Sequence, residues 1–289
     1  MGNPADEDLN RREASGTSLP PAEAPPDYDV AVATGPSRLY RPFPPEMQAR
    51  YQWKITATFH LCGGERPDDR LFAVSTHAGW DGEVPRIVLH NGPSDKDPVL
   101  AFSCEERTVT RLDVYSPNSI VKLPPVVPSA DPKQLATEIM RAHTIGETGV
   151  GYEFSIEVSH SAKLVREKFE WRKVKKGADG ELKEGGFKLL RLSSRRDPES
   201  VAASPSQEPA AATEDGYDVV AVFKWNKTLT NLMRPFDLRF VGDALSGSLG
   251  ERWALVTVLT ALRLWFLHAG ARANRKTVAA GEGVDYQAP

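Results

Sequence analysis

The sequence ERWALVTVLTALRLWFLHAG, residues 251–270, decides the fold of this protein. It has no glycine or proline between Glu251 and Ala269, and Ser248 precedes Glu251 by three residues in the capping-box pattern, which predicts a helix capped by Ser248. Gly270, with basic residues after it, suits the carboxyl end of a helix. One helix is therefore expected over nearly the whole stretch.

The composition of this helix predicts burial in protein and not a membrane span. The fifteen residues from Trp253 to Leu267 are apolar except Thr257, Thr260 and Arg263. At 1.5 Å per residue they reach about 22 Å, which is short of the roughly 30 Å of bilayer hydrocarbon, and Arg263 would cost about 2.5–3.5 kcal/mol there. Because apolar residues occur on every side, the helix must be surrounded.

The chain before this helix follows a sequence period of two, which is typical of β-strands with one face on a core. Alternation from 51 to 61 predicts one strand there. Further strands are predicted at 71–76, 86–90, 98–104, 108–114, 119–123, 150–158, 163–174, 187–193, 217–225 and 236–241. Residues 135–145 fit a helix or a strand, and the total is about twelve strands.

A sheet that surrounds the helix would have to close on itself. Closure covers every side of the helix and leaves no strand edge exposed. The predicted fold class is therefore mainly β, a closed antiparallel β-barrel of about twelve strands around a hydrophobic C-terminal helix.

Three stretches have compositions that predict disorder outside this barrel. Residues 1–48 hold nine of the 23 prolines and form a predicted disordered leader. Residues 197–215 have a similar composition inside patterned sequence, which predicts a disordered insertion. Residues 277–289 are small and polar and predict a flexible tail. The barrel domain is expected to span 49–276.

The sequence carries no signature of catalysis or metal binding. The six histidines are scattered, the two cysteines have no neighbouring ligands, and the nucleophile-elbow, P-loop and dinucleotide-binding motifs are absent. We therefore predict no catalytic residue, no metal, no cofactor and no enzymatic activity. A net charge of −3 argues against nucleic acid as a partner of the whole chain.

One segment has a strong local charge. Residues 163–196, called the basic hairpin, hold twelve basic and five acidic residues, a local charge of about +7. The candidate residues for binding anionic lipid are Lys173, Lys175, Lys176, Lys183, Arg195 and Arg196. The alternative is a solvated hairpin that charge keeps soluble.

The order of elements resembles the tubby C-terminal-like superfamily, which includes tubby proteins, phospholipid scramblases and LURP-one-related proteins. The resemblance covers about residues 51–275 and rests on many strands, the closing segment Phe236–Phe240 and the helix after Ser248. Residues 169–172 and 251–255 are also similar to an uncharacterised fungal group. The resemblance implies that the barrel closes around the helix, and it transfers no site residue.

These observations predict a non-enzymatic binding module that engages phosphoinositide or anionic membrane lipid peripherally through the basic hairpin. The alternatives are a scramblase-like protein whose C-terminal helix inserts into a membrane, an enzyme with a site in the mouth of the barrel, and a protein-interaction scaffold with unknown partners. The first residues, MGNPADEDLNRREASG, lack the apolar stretch of a secretory signal. The expected location is intracellular: the cytoplasm, the nucleus or the surface of a membrane.

Overall fold

The computed structural model describes residues 41–52, 58–64, 66, 69–77, 85–106, 116–126, 134–160, 163–194, 215–226, 233–271 and 273–282. Twelve strands, two α-helices and two short 3-10 helices form within these ranges. The strands are β1 (Glu46–Tyr51), β2 (Thr58–Cys62), β3 (Arg70–Thr76), β4 (Ile87–His90), β5 (Val99–Glu105), β6 (Ser119–Leu123), β7 (Ala136–Ile145), β8 (Gly149–His160), β9 (Lys163–Val174), β10 (Gly186–Arg191), β11 (Asp218–Trp225) and β12 (Phe236–Phe240). The helices are α1 (Glu251–Ala269) and α2 (Arg275–Glu282).

The strands form one closed antiparallel barrel, which confirms the predicted fold class. Each strand pairs with its neighbours in sequence, and β1 pairs with β12 to close the sheet. Successive strands therefore run in opposite directions along the barrel. We call the end where β12 leads into α1 the lower end, and the end where α1 finishes the upper end.

Helix α1 lies inside the barrel, as predicted from its apolar surface. Every residue from 255 to 264 is buried. The indole N–H of Trp171 on β9 donates a 2.9 Å hydrogen bond to Thr260 Oγ1, and the Trp253 ring packs against Phe169 and Phe240. Side chains of the inner strand faces and of α1 therefore fill the barrel.

The start of α1 was predicted correctly, but its cap was not. Gly250, with φ 86°, is the N-cap residue, and no side chain caps the helix. The hydroxyl of Ser248 donates instead to the carbonyl of Asp243 over 3.1 Å. Because the 3-10 helix at 242–246 and the turn after it occupy this stretch, Ser248 stands outside the capping position.

The predicted single strand at 51–61 is wrong, because the chain forms β1 and β2 there. The two strands pair with Tyr51 opposite Phe59 and Ala49 opposite Leu61. Odd residues face odd residues across this pair, so the alternation keeps its phase through the reversal and hides it. The count of twelve still agrees because the strand predicted at 108–114 lies outside the described residues.

Other boundaries also differ from the predictions. The stretch 135–145, which fitted a helix or a strand, contains strand β7 (Ala136–Ile145). Strand β1 begins at Glu46, within the predicted leader of 1–48. Residues 277–282 of the predicted tail belong to α2, where the carboxylate of Glu282 accepts a 3.0 Å hydrogen bond from the hydroxyl of Thr144. Residues 1–40, 195–214 and 283–289 lie outside the described part of the chain.

Candidate functional site

The connection between β9 and β10 folds back onto the outer wall of the barrel. Leu182 in this connection is fully buried against Leu190, Val219 and Val222. An ion pair between Lys188 and Asp179 holds the same segment to β10. The basic hairpin therefore lies along the barrel wall at its turn and does not project from it.

The structure assigns contacts to three of the six predicted lipid-binding residues. Lys173 Nζ donates to the carbonyl of Ala273 over 2.6 Å, and Lys175 Nζ lies 3.2 Å from Thr148 Oγ1. Lys176 pairs with a carboxylate of the hairpin itself, Glu184, at 2.8 Å.

Of the remaining three predicted residues, the structure describes only one. Lys183 is exposed, while Arg195 and Arg196 lie outside the described residues. The structure therefore describes four of the six predicted residues, and binding of anionic lipid by them stays a prediction.

Acidic residues from neighbouring strands compensate much of the hairpin's charge. Lys168 pairs with Glu153 on β8 at 2.8 Å, and Arg166 pairs with Glu138 on β7 and with Glu157 on β8. These carboxylates lie outside residues 163–196, so a charge count over that window omits them. The local charge of about +7 therefore overstates the field that a ligand would meet.

The sequence did not predict a histidine–glutamate pair that lies on the outer wall of the barrel. His143 on β7 and Glu170 on β9 approach to 2.6 Å across β8, and Arg172 Nε lies 2.5 Å from the other oxygen of Glu170. Gly151 lies between them, where a Cβ would come within 2.8 Å of both His143 and Glu170. The glycine in an otherwise regular strand is the one sequence signal of this contact.

The ionisation of this pair follows from its hydrogen bonds. The bond to Glu170 raises the pKa of His143, against the opposite effect of burial. Burial raises the pKa of Glu170, but hydrogen bonds from His143 and Arg172 outweigh burial and leave the pKa below its ordinary value. Because Nε2 of His143 on β7 is bonded to Glu170 on β9, the pair links these two strands across β8.

The candidate binding site is a cavity of about 210 Å³ at the lower end of the barrel, called the lower-end pocket. It lies between the segment before β1, the end of β12, the connection to α1 and the first turn of α1. Its lining residues are Arg41, Pro42, Phe43, Pro45, Phe240, Ala244, Leu245, Gly247, Leu249, Gly250, Glu251, Trp253 and Ala254.

The pocket has an apolar floor and a charged mouth. Phe240, Leu249 and Trp253 are buried and form the floor. Arg41 and Glu251 are exposed, as is Leu245, and they form the solvent side. Since α1 fills the barrel, a ligand of the described part of the protein has room at this end and not along the barrel axis.

Neither comparison with known proteins nor a search for metal-binding side chains identifies a function for this pocket. No protein-family model, curated protein or solved structure matches the chain at a significant level. Membership of the tubby C-terminal-like superfamily stays a prediction drawn from element order. Within the described ranges, no three His, Cys, Asp or Glu side chains gather to hold a metal ion. None of the helices there combines the length and apolarity that a membrane span needs.

Proposed function

We propose that this protein is a non-enzymatic binding module that holds the acyl chain of an anionic amphiphile in the lower-end pocket. The observation that carries the proposal is the composition of the wall. Eleven of the thirteen lining residues are apolar or glycine. Apart from Arg41, Glu251 and the indole of Trp253, no lining side chain can form a hydrogen bond.

An acyl chain suits this wall better than a peptide does. A peptide would bring backbone amides into the pocket, and each amide buried without a partner costs free energy. Methylene groups have no such demand, and each one that is buried contributes about 0.8 kcal/mol. The apolar floor therefore favours hydrocarbon.

The mouth of the pocket favours a negatively charged head. Arg41 lines the pocket, where its Nη1 also donates to the carbonyl of Leu71 over 3.3 Å, and the first turn of α1 has no side-chain cap for its amides. A carboxylate or phosphate would be attracted to both groups. Glu251 opposes this attraction, and it is exposed, where solvent screens its charge.

A chain-length series tests the proposal by calorimetry on the full chain with monomeric n-alkyl carboxylates. Affinity should rise about fourfold for each added methylene until the pocket is full, and then level off. The alcohol of the same length should bind more weakly, and R41Q should reduce that difference. An affinity that does not depend on chain length would contradict the proposal.

The pocket wall offers a matched pair of variants. L245A removes an exposed leucine of the pocket and should weaken binding roughly tenfold. L164A removes a leucine at the same end of the barrel that does not line the pocket, with 58% exposure against 59% for Leu245, and should leave affinity unchanged. Equal losses of affinity in the two variants would contradict binding in the lower-end pocket.

Anionic lipid binding through the basic hairpin is the second candidate. The exposure of Lys175 and Lys183 favours it, and each lysine near an anionic membrane contributes about 1 kcal/mol. The ion pairs along β9 and β10 neutralise part of the local positive charge, so they weaken the support for this candidate. A scramblase-like activity of α1 has no support from a helix enclosed by the barrel.

A further inference from the structure

A serine and a histidine form a hydrogen-bonded pair on the outer wall of the barrel. Ser75 lies on β3, and His90 is the last residue of β4. Their neighbours Val74 and Leu89 belong to the core, so alternation along each strand turns Ser75 and His90 to the outer face. Ser75 Oγ lies 3.1 Å from His90 Nε2. A hydroxyl is therefore in direct contact with an imidazole nitrogen.

The second ring nitrogen of His90 sets the direction of this hydrogen bond. Nδ1 lies 3.0 Å from the backbone carbonyl oxygen of Asp97, in the turn between β4 and β5. A carbonyl oxygen can only accept, so Nδ1 carries the proton and donates it. In the neutral ring, Nε2 then has the lone pair and the hydroxyl of Ser75 is the donor. His90 is therefore oriented as a base toward the serine oxygen.

The turn between β4 and β5 keeps the imidazole in this orientation. It folds over the outer wall, where Nε2 of His60 on β2 lies 2.9 Å from the carbonyl oxygen of Pro93. His90 is only 5% exposed, whereas Ser75 is half-buried. The base is thus fixed and shielded, while the serine beside it is partly open to solvent.

We propose that Ser75 is a covalent acceptor site for acyl groups from activated esters. A serine hydroxyl becomes a useful nucleophile when an adjacent base removes its proton, and a separation of about 2.6–3.2 Å permits that transfer. As Ser75 Oγ attacks the ester carbonyl, its proton moves to His90 Nε2. A bond forms between Oγ and the acyl carbon, the bond to the leaving oxygen breaks, and the leaving group takes up the proton from His90.

This site is separate from the lower-end pocket, because neither Ser75 nor His90 lines that pocket. The burial of His90 favours a lasting acyl-serine over repeated turnover. Hydrolysis of the acyl-serine would need a water molecule in contact with Nε2, and the acylated oxygen itself stands beside that nitrogen. We therefore expect one acyl group per chain, which is compatible with a non-enzymatic binding module.

Reaction of the full chain with p-nitrophenyl acetate tests the proposal. The intact mass should rise first by one acetyl group, and peptide mapping by mass spectrometry should place that group on Ser75. H90Q keeps an amide that can donate to the turn but has no basic nitrogen, so it should acetylate Ser75 roughly a hundredfold more slowly. S75A should lose this first acetylation.

Ser155 is the matched control within the same protein. It is a half-buried serine on the outer face of β8, between the core residues Phe154 and Ile156, and Lys168 stands opposite it in the sheet. Ser155 should stay unmodified while Ser75 is acetylated, and S155A should react like the wild type.

Three outcomes would overturn the proposal. They are acetyl groups found only on lysine or histidine, equal rates at Ser75 and Ser155, and undiminished acetylation of Ser75 in H90Q. Melting temperatures of S75A and H90Q close to the wild-type value would show that both variants are folded. The comparison of Ser75 with Ser155 needs no variant, so it decides the proposal even if H90Q folds poorly.

Discussion

At the scale of single residues, the buried guanidinium of Arg263 ties α1 to the barrel wall. Its Nε donates a 2.8 Å hydrogen bond to Ser119 Oγ, and its Nη2 lies 3.3 Å from Oε1 of Glu105. Nη2 of Arg86 lies 3.6 Å from the other oxygen of the same carboxylate. All three charged groups are buried, so each depends on the others for compensation in a medium of low polarity.

This sharing predicts unequal costs for two substitutions. E105Q removes the carboxylate that faces both arginines and should lower the free energy of unfolding by about 3–5 kcal/mol. R263M should cost less, because Glu105 keeps Arg86 and a methionine can fill the space. Urea denaturation measures both. A larger loss in R263M would contradict the shared-carboxylate interpretation.

The pair of His143 and Glu170 predicts a pH-dependent contribution to stability. Since the folded state raises the pKa of His143, it binds the imidazole proton more tightly than the unfolded state does. The stabilisation is therefore complete below the unfolded pKa and is lost as pH rises through the folded pKa. H143Q should lower the melting temperature more at about pH 5.5 than at about pH 8.5.

Gly151 provides the control for that measurement. G151A places a methyl group within 2.8 Å of both partners, so both side chains must shift to admit it. It should reduce the same pH-dependent difference while leaving both titrating residues in place. A difference between wild type and H143Q that does not vary with pH would show that the pair contributes no proton linkage.

At the scale of elements, the start of α1 depends on backbone conformation at Gly250. Its φ of 86° and ψ of 163° lie in a region that only glycine adopts readily. Beyond the cap, Arg252 lies 3.1 Å from Glu157 and 3.2 Å from Glu138, and it also donates to the carbonyl of Pro124. The first turn is therefore held by a glycine turn on one side and ion pairs on the other.

Two substitutions distinguish this start from the capping box that the sequence predicted. S248A should change the free energy of unfolding by less than about 0.5 kcal/mol, whereas loss of a true cap costs about 1 kcal/mol. G250A should cost about 1–3 kcal/mol. G180A, at an open position with no atom within 4 Å of the added Cβ, serves as the control in chemical denaturation. A loss of about 1 kcal/mol or more in the free energy of unfolding of S248A would indicate that Ser248 is the cap.

At the scale of the whole molecule, a filled barrel directs binding to its ends and walls. The sequential pairing of strands brings the connections after β6, between β8 and β9, and after β12 to the lower end. The pocket lies there, and so do the exposed aliphatic residues Val126, Leu164, Val165 and Leu245. Neither feature is continuous in sequence, which is why composition directed attention to the basic hairpin instead.

Little of the candidate site could be predicted from the sequence. Phe43, Leu245 and Trp253 belong to a leader segment, a connection and a helix, and no spacing rule joins them. The basic residues were visible, but their partners Glu138 and Glu153 come from other strands. Charge compensation across a sheet is a non-local property that a window of sequence does not contain.

The sequence by itself determined that α1 is enclosed by strands, because apolar residues on all its sides require a surrounding wall and period-two patterns supply one. Only the tertiary structure decided where the chain reverses between β1 and β2, which charges pair, and that the ends of distant strands enclose a pocket. Local periodicity records which side of the backbone is buried. Which segments meet on that side depends on register and closure, and these are fixed by contacts between residues far apart in the chain.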